Sequence, residues 1–410
     1  GFGGPAGLAY LRSLDIVDTD NIGLEGHSMG GWTVLAAAAA MPDAYKAVVL
    51  QGSGTGAPFA KDGDATWPRN LAVVFSKFDE FSNTMWGAPT AQEVTNSARL
   101  QAAFGTTEPV VIGQLYGDIA AGTGRILTQP NTTHPGDHFS FEAIGDAISW
   151  FDQTLEGARP LPVDDQIWIW KEIGTLIALV GFVVLLAGTF EMLLNAPAFA
   201  HLRAQPAIAA HDRRSPKWWL AFALTAFIPV ITYYPFFYWA TLLFPASAIL
   251  PQSFTSQVAF WAVLNGLIAF VLGLVLKGNK VQARGDIIGS ILIAIATVGI
   301  GYLVVCAVDF LFKVDFRFWI LALKPLDLLR AKIALVYLLP FTVFFVLALR
   351  SLHAGLSVRG DSRLVQYGAN IAAMTLGFVV FLGFQYLTLL LTGHLFSVNE
   401  PLNTVIGIQF

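Results

Sequence analysis

The chain has 410 residues, of which 55% are hydrophobic and only 13% are charged, and its formal net charge is -4. Its mean hydropathy of +0.60 is higher than a water-soluble globular protein requires. The small negative charge argues against a nucleic-acid partner. The single cysteine, Cys306, excludes a disulfide bond within the chain.

The hydrophobic residues are unevenly distributed along the chain. Residues 1–157 have the composition of a soluble domain, and the predicted helix at 1–14 leads into the first strand. Residues 158–166 contain prolines and acidic residues and are predicted to be a linker. Residues 167–410 carry apolar runs long enough to cross a bilayer, so we expect a membrane domain there.

One stretch of the first domain indicates a chemistry, namely Gly26-His27-Ser28-Met29-Gly30-Gly31. It has the pattern Gly-x-Ser-x-Gly, and it stands between a short apolar run and an alanine-rich predicted helix. A sharp strand-to-helix turn of this kind lifts the serine hydroxyl out of the sheet. Ser28 is therefore the candidate nucleophile, and the backbone N–H of Met29 is the candidate donor to an oxyanion. We expect glycine at positions 26 and 30 because side chains there would collide with the turn or the next strand.

The motif and its context resemble the α/β-hydrolase superfamily, and most closely its esterase and lipase branches. The resemblance covers residues 1–157 and implies a mostly parallel sheet followed, in this chain, by an all-α polytopic membrane domain. It also implies a serine, an acid and a histidine in that chain order. Such domains have several strands before the nucleophile. We therefore expect an N-terminally truncated fragment, with half of the oxyanion hole upstream of Gly1.

Further strands are predicted after the alanine-rich helix that follows the turn at Ser28, a turn called the nucleophile elbow. The second of these strands locates the acid. Two apolar runs suit buried parallel strands, and two later runs are candidates for a hairpin: 47–50 and 71–75, then 110–112 with 125–127. Functional groups of a parallel sheet gather beyond the carboxyl ends of its strands. Asp79 follows the second run and fits the order of the superfamily, while Glu80 beside it is the rival.

The histidine is predicted in the loop from Asn131 to Ser140, before a helix with apolar residues at steps of three and four. His134 is preferred as the general base, because its place resembles that in secreted esterases, and His138 is the alternative. One His-x-x-x-His pair around Asp137 is weak evidence for a metal, so no metal and no cofactor are predicted.

These residues predict a serine hydrolase. His134 would take the proton of Ser28, Asp79 would hold the imidazole tautomer, and the serine would form an acyl-enzyme with an ester or thioester, including an acyl lipid. The alternative is a non-catalytic, hydrolase-like binding module of a membrane transporter or sensor. A module without catalytic activity would have no physical need for the serine, the acid and the histidine together.

Six membrane spans are predicted, each near the roughly 20 residues that a bilayer requires. They lie at 168–193, 218–245, 255–277, 286–308, 332–350 and 366–392. Prolines in the interior of the spans are expected to produce kinks: Pro229, Pro235 and Pro340. The last residues, 405–410, are apolar, so we expect a further span after them.

Lysines and arginines in the short loops predict the orientation. They gather after the first, third and fifth spans: Arg203, Arg213, Arg214 and Lys217; Lys277, Lys280 and Arg284; Arg350, Arg359 and Arg363. These loops are therefore predicted to be cytoplasmic, with the hydrolase domain outside. A large outer domain without disulfides favours a bacterial plasma membrane.

Residues 309–332 do not follow this charge rule, because they are predicted to lie outside and still carry five basic residues. Phenylalanines alternate with charged residues around Phe316 and Arg317, which predicts an extended stretch. It would lie in the membrane interface or against the hydrolase domain, or else be a solvated connector.

Overall fold

A computed structural model describes residues 3–159, 161–203, 209, 211–275 and 286–408. The chain divides into two compact units. The first comprises Gly1–Ile169 together with Phe384–Val405, and the second comprises Trp170–Gly383 and Ile406–Phe410. The stretch Phe384–Val405 belongs with the first unit although it includes the end of the last predicted span.

The first unit is built on a four-stranded sheet. Its strands are β1 (Gly23–His27), β2 (Ala47–Gln51), β3 (Leu71–Val74) and β4 (Arg125–Thr128). They are all parallel and lie in chain order, with Gly23 opposite Ala47 and Val48 opposite Leu71. Every residue of β2 and β3 is buried, as expected for the apolar runs of a parallel sheet covered on both faces.

Helices cover this sheet. They are α1 (Gly3–Arg12), α2 (Met29–Ala40), α3 (Ser82–Trp86), α4 (Ala98–Phe104) and α5 (Phe141–Thr154), with 3-10 turns at Ala91–Asn96 and Pro135–Phe139. Trp150 and two alanines of α5 pack against β2 and β3. Leu8 of α1 packs with Ala37 of α2 and Ile22, beside β1. The first unit is therefore an α/β structure whose strands carry the site at their carboxyl ends.

The helix predicted after the histidine loop is confirmed as α5. The apolar residues whose spacing predicted it are Phe141, Ile144, Ile148, Phe151 and Leu155, and they are not its most buried side chains, since Phe141 is 46% exposed. The buried side chains are those of Ala143, Ala147, Trp150 and Thr154. Small residues let the helix approach the sheet closely, and the large apolar residues then lie at the edges of that contact.

The predicted hairpin of 110–112 with 125–127 is also wrong. Residues 110–112 form no strand, and β4 instead pairs with β3. Tyr116 makes a single antiparallel bridge to Arg125. β4 pairs with the buried strand β3 along its whole length, whereas the preceding loop adds backbone hydrogen bonds only at Gly113 and Tyr116.

Within the part of the chain that the structure describes, seven apolar helices follow residue 167. They are α6 (Trp168–Asn195), α7 (Pro216–Ile231), α8 (Tyr233–Leu243), α9 (Ser253–Val275), α10 (Ile287–Phe312), α11 (Leu328–Leu356) and α12 (Arg363–Thr392), and a π-helical segment Asn403–Ile408 ends the described chain. Within the described residues, five helices are long and apolar enough to cross a membrane, or six if α7 and α8 form one span. The basic residues Lys277, Lys280 and Arg284 lie outside the described residues.

The second predicted span is broken rather than merely kinked. Helices α7 and α8 meet at an angle of 47°. Pro235 lies in the first turn of α8, so it has no N–H for the carbonyl of Ile231, and its ring would clash with that carbonyl. Pro229 and Pro340, by contrast, lie inside continuous helices.

The segment at 309–332 forms a small hairpin of β5 (Phe316–Phe318) and β6 (Leu321–Leu323), paired antiparallel. The Phe316 ring packs against Phe182, with ring centroids 5.0 Å apart. The Arg317 guanidinium donates twice to the carboxylate of Asp315, at 3.0 and 2.7 Å. The apolar and the charged edge of the segment therefore both find partners within the second unit.

Candidate active site

Ser28 stands between the end of β1 and the start of α2, with φ 54° and ψ -124°. This left-handed conformation is uncommon and strained for a residue with a side chain. The Ser28 N–H donates to the carbonyl of Gln51 at 2.9 Å, and the Ser28 carbonyl accepts from Gly31 at 3.0 Å. The serine is thus held at the carboxyl edge of the sheet in the turn that its motif predicts.

Two glycines of the motif are required by close packing, but not the two that were expected. A β-carbon at Gly26 would overlap the backbone of Gly30, which agrees with the prediction. A β-carbon at Gly31 would overlap the side chain of Ser53 on the loop after β2. A β-carbon at Gly30 would meet nothing within 4 Å beyond its own helix, so the steric reason given for position 30 is wrong.

His134 and Asp79 meet at the same edge of the sheet. The distance from His134 Nδ1 to Asp79 Oδ2 is 2.7 Å, and the two residues are 5% and 1% exposed. Asp79 follows β3 and His134 follows β4, and a parallel bridge between Phe78 and Thr133 extends the pairing of those strands up to them. The second carboxylate oxygen, Oδ1, accepts from the Phe81 N–H at 2.7 Å, which orients the acid.

The charges around His134 favour its protonated form. Burial alone would lower the pKa of His134, but the Asp79 carboxylate, its hydrogen bond, and the charges of Glu80 and Asp137 together raise that pKa. An imidazole that must take a proton during a reaction needs this stabilisation of the imidazolium. Because Nδ1 is bonded to Asp79, Nε2 is the ring nitrogen left to exchange a proton.

His134 is also held close to the elbow. Its carbonyl oxygen lies 3.1 Å from Nε2 of His27, the residue before Ser28, and the two rings are 4.6 Å apart between centroids. A β-carbon at Gly52, which follows β2, would lie 2.9 Å from His134 Nδ1. The ends of β1, β2, β3 and β4 therefore gather the serine, the histidine and the acid at one edge.

The rival residues occupy different places. The Glu80 carboxylate accepts from the backbone N–H of His134 at 2.9 Å, whereas Asp79 is bonded to the ring. The His138 ring lies 4.2 Å from that of His27. Met29 is the first residue of α2, and its side chain is 67% exposed. Among the residues that the structure describes, no group of three histidine, cysteine or acidic side chains could hold a metal ion.

A second acid, not predicted as part of the site, is buried beside it. Asp137 is 1% exposed, accepts a hydrogen bond from Ser76 Oγ, and has its other oxygen 3.5 Å from His27 Nε2. Burial raises the pKa of Asp137. These contacts fasten the turn after His134 to the end of β3 and to the elbow. The sequence shows Asp137 between His134 and His138, but this pattern was interpreted only as a possible metal site.

The second residue that the sequence analysis missed is Tyr386, which lies near the end of α12 within the last predicted span. Its hydroxyl donates to Oε1 of Glu80 at 2.8 Å. No local pattern connects Tyr386 with the loop after β3 that carries Asp79 and Glu80, here called the acid loop, because Tyr386 and Glu80 are separated by 306 positions.

A parallel sheet with a strained serine between strand and helix, and a buried acid and imidazole at the same edge, has the arrangement that is typical of α/β serine hydrolases. A sequence model of the prolyl oligopeptidase family matches residues 5–60. The matched region runs from α1 through the elbow to the loop after β2 and ends before Asp79 and His134. No curated protein and no solved structure matches the chain. The match supports an α/β-hydrolase-like fold for the first unit.

Proposed function

We propose that the chain is a membrane-anchored serine hydrolase in which Ser28 is the nucleophile, His134 the general base and Asp79 the acid that orients it. The observation that carries the proposal is the buried 2.7 Å bond between His134 Nδ1 and Asp79 Oδ2, at the sheet edge that also holds Ser28. A non-catalytic binding module gives no reason to bury this charge-assisted pair behind a strained serine.

In this mechanism the Ser28 hydroxyl passes its proton to His134 Nε2 while Oγ attacks the acyl carbonyl. The oxyanion accepts a hydrogen bond from the backbone N–H of Met29 at the start of α2. His134 then returns the proton to the leaving alcohol or thiol, and the carbonyl re-forms as an acyl-enzyme. Water, activated by His134, releases the acid and restores Ser28.

The substrate class is an ester or thioester with an apolar acyl group, such as an acyl lipid. Trp32 lies one helical turn after Ser28, and its ring stacks on Phe59 at 4.1 Å between centroids. Phe59 is 55% exposed, so the pair offers an apolar surface near the nucleophile. The apolar helices of the second unit anchor the enzyme in a bilayer where such substrates are found.

A peptide or amide is the second candidate substrate, and the match of residues 5–60 to the prolyl oligopeptidase family favours it. The two candidates differ in the leaving group, since an amine must be protonated before it departs. Initial rates on p-nitrophenyl acyl esters and on peptide p-nitroanilides, measured with the same preparation, separate an esterase from a peptidase.

The charge distribution of the loops supports a hydrolase unit on the outer side of the membrane. A large outer domain with a single cysteine in the chain favours a bacterial plasma membrane. The partners proposed are the lipid bilayer and the acyl substrate, with no nucleic acid and no cofactor.

The proposal is tested by active-site labelling. A fluorophosphonate probe should label the full-length protein at Ser28, and Ser28→Ala should abolish both the labelling and the turnover of p-nitrophenyl esters. Ser13→Ala, which changes an exposed serine after α1, is the matched control and should keep both. Turnover that persists in Ser28→Ala would falsify the assignment, and wild-type protein without labelling or turnover would favour the binding module.

A further inference from the structure

The last part of α12 contacts the acid loop of the first unit at Glu80. The Tyr386 hydroxyl donates to Glu80 Oε1 at 2.8 Å, and the same carboxylate accepts from the His134 N–H through Oε2 at 2.9 Å. Glu80 therefore connects Tyr386 directly to the backbone of the candidate base. Both oxygens of the carboxylate are used, and each accepts from a different element of the unit.

One further close approach and one internal link shape this segment. Gly393, the residue after α12, has a φ of +79°, and a β-carbon there would lie 2.9 Å from the side chain of Thr90. The Gln385 side chain exchanges two hydrogen bonds with Ser397, at 2.8 and 3.0 Å, which fastens the following loop to the helix. Glu80 and Thr90 both lie in the stretch after β3, so the segment is anchored along the acid loop at more than one point.

The groups that face Glu80 act on its charge in opposite directions. Burial raises the pKa of Glu80 to about 7, and the adjacent Asp79 carboxylate also raises it. The charge of His134 and the hydrogen bonds from Tyr386 and from the His134 N–H lower it. Asp137 also faces His134 from the turn that follows it and favours the imidazolium. Near neutral pH the charge on Glu80 therefore depends on the hydrogen bonds that its carboxylate accepts from the Tyr386 hydroxyl and the His134 N–H.

We propose that Glu80 and Tyr386 are positioning residues of the Ser28 site, so that the segment Phe384–Val405 completes the hydrolase unit. The inference rests on the proposed function, because it concerns how His134 is held while it accepts the proton of Ser28. The Glu80 carboxylate fixes the His134 backbone and adds a negative charge beside the imidazolium. The Tyr386 hydroxyl keeps that carboxylate oriented and ionised.

The test is the pH profile of Ser28 labelling by a fluorophosphonate, measured on the full-length protein in lipid nanodiscs. In the wild type the rate constant rises with pH as His134 loses its proton. In Tyr386→Phe the pKa of Glu80 rises, its charge near neutral pH falls, and the pKa of His134 therefore falls. The acid limb should move to lower pH by about half a unit. The plateau rate should fall about tenfold.

Glu80→Gln should change both quantities in the same direction and by more, because it removes the charge altogether. Tyr367→Phe removes a hydroxyl from an exposed tyrosine of the same helix, and Glu93→Gln neutralises an exposed acid; both should match the wild type.

Three results keep this inference separate from the proposed function. Labelling that survives Ser28→Ala defeats the function itself. Ser28-dependent labelling with a wild-type profile in Tyr386→Phe overturns the inference alone. An equal loss at every pH, accompanied by a lower Tm, would also overturn it and leave Tyr386 as a structural anchor.

Discussion

Gly52 lies so close to His134 that a β-carbon at position 52 would be 2.9 Å from the imidazole Nδ1. Its φ of +51° is also a conformation that side chains rarely adopt. Gly52→Ala should therefore displace the imidazole from Asp79 and reduce Ser28 labelling on the order of 10²-fold, the usual effect of a misplacement of about 1 Å. The labelling rate constant and the Tm of the purified protein are the measurements.

Gly87→Ala is the matched control for backbone strain. Gly87 has φ +69° and nothing within 4 Å of a β-carbon. Both variants should lose about 1–2 kcal/mol of stability. Only Gly52→Ala should lose labelling, and equal labelling in the two variants would show that the contact with His134 has no effect.

Asp79→Asn should abolish most activity without unfolding the protein. The amide can donate to Nδ1 of His134, which favours the tautomer whose proton is on Nε2, and that nitrogen then cannot accept the serine proton. We expect a loss of about 10⁴-fold in the labelling rate constant, with a Tm close to that of the wild type.

The alternative histidine is tested by the same assay. His134→Ala should be as inactive as Asp79→Asn, whereas His138→Ala should retain most activity, since His138 packs on His27 and Asp79 is bonded to His134. An inactive His138→Ala together with an active His134→Ala would reverse the assignment of the base.

The hairpin in the second unit should depend on one of its two phenylalanines. Phe316 is 9% exposed and packs against Phe182 and Val305, while Phe318 is 39% exposed. Phe316→Ala should cost about 3 kcal/mol, because it leaves a cavity among packed side chains, and Phe318→Ala should cost much less. Thermal unfolding in nanodiscs measures both. Equal Tm shifts in the two variants would mean that the buried Phe316 side chain contributes no more to stability than the exposed Phe318 side chain.

The proposed topology predicts which loops are accessible from outside the cell. In a Cys306→Ala background, a cysteine at Ser253, between the second and third predicted spans, should react with an impermeant thiol reagent on intact cells. A cysteine at Ser362, after the fifth, should react only once the membrane is permeabilised. The opposite pattern would put the hydrolase unit in the cytoplasm. Ala210, another position in a predicted cytoplasmic loop, lies outside the described residues.

Local patterns predicted a large part of this fold. The runs at 47–50 and 71–75 became β2 and β3 because uninterrupted apolar residues suit a strand that is covered on both faces. The Gly-x-Ser-x-Gly pattern predicted the strained turn at Ser28, whose φ is 54°, and a β-carbon at Gly26 would overlap the backbone of Gly30 there. Features that depend on packing were less accessible: the spacing of the large apolar residues predicted α5, but the alanines that pack on the sheet carry little hydrophobic signal.

By itself, the sequence determined the strands, the elbow and the apolar helices, because each depends on a pattern of residues that are close together in the chain. Tertiary structure decided which partners those elements bring together. The choice of Asp79 over Glu80 for the ring of His134 follows from the register of β3 and β4. The bond between Tyr386 and Glu80 joins residues 306 positions apart, and only the folded chain, in which packing sets long-range contacts, could place them together.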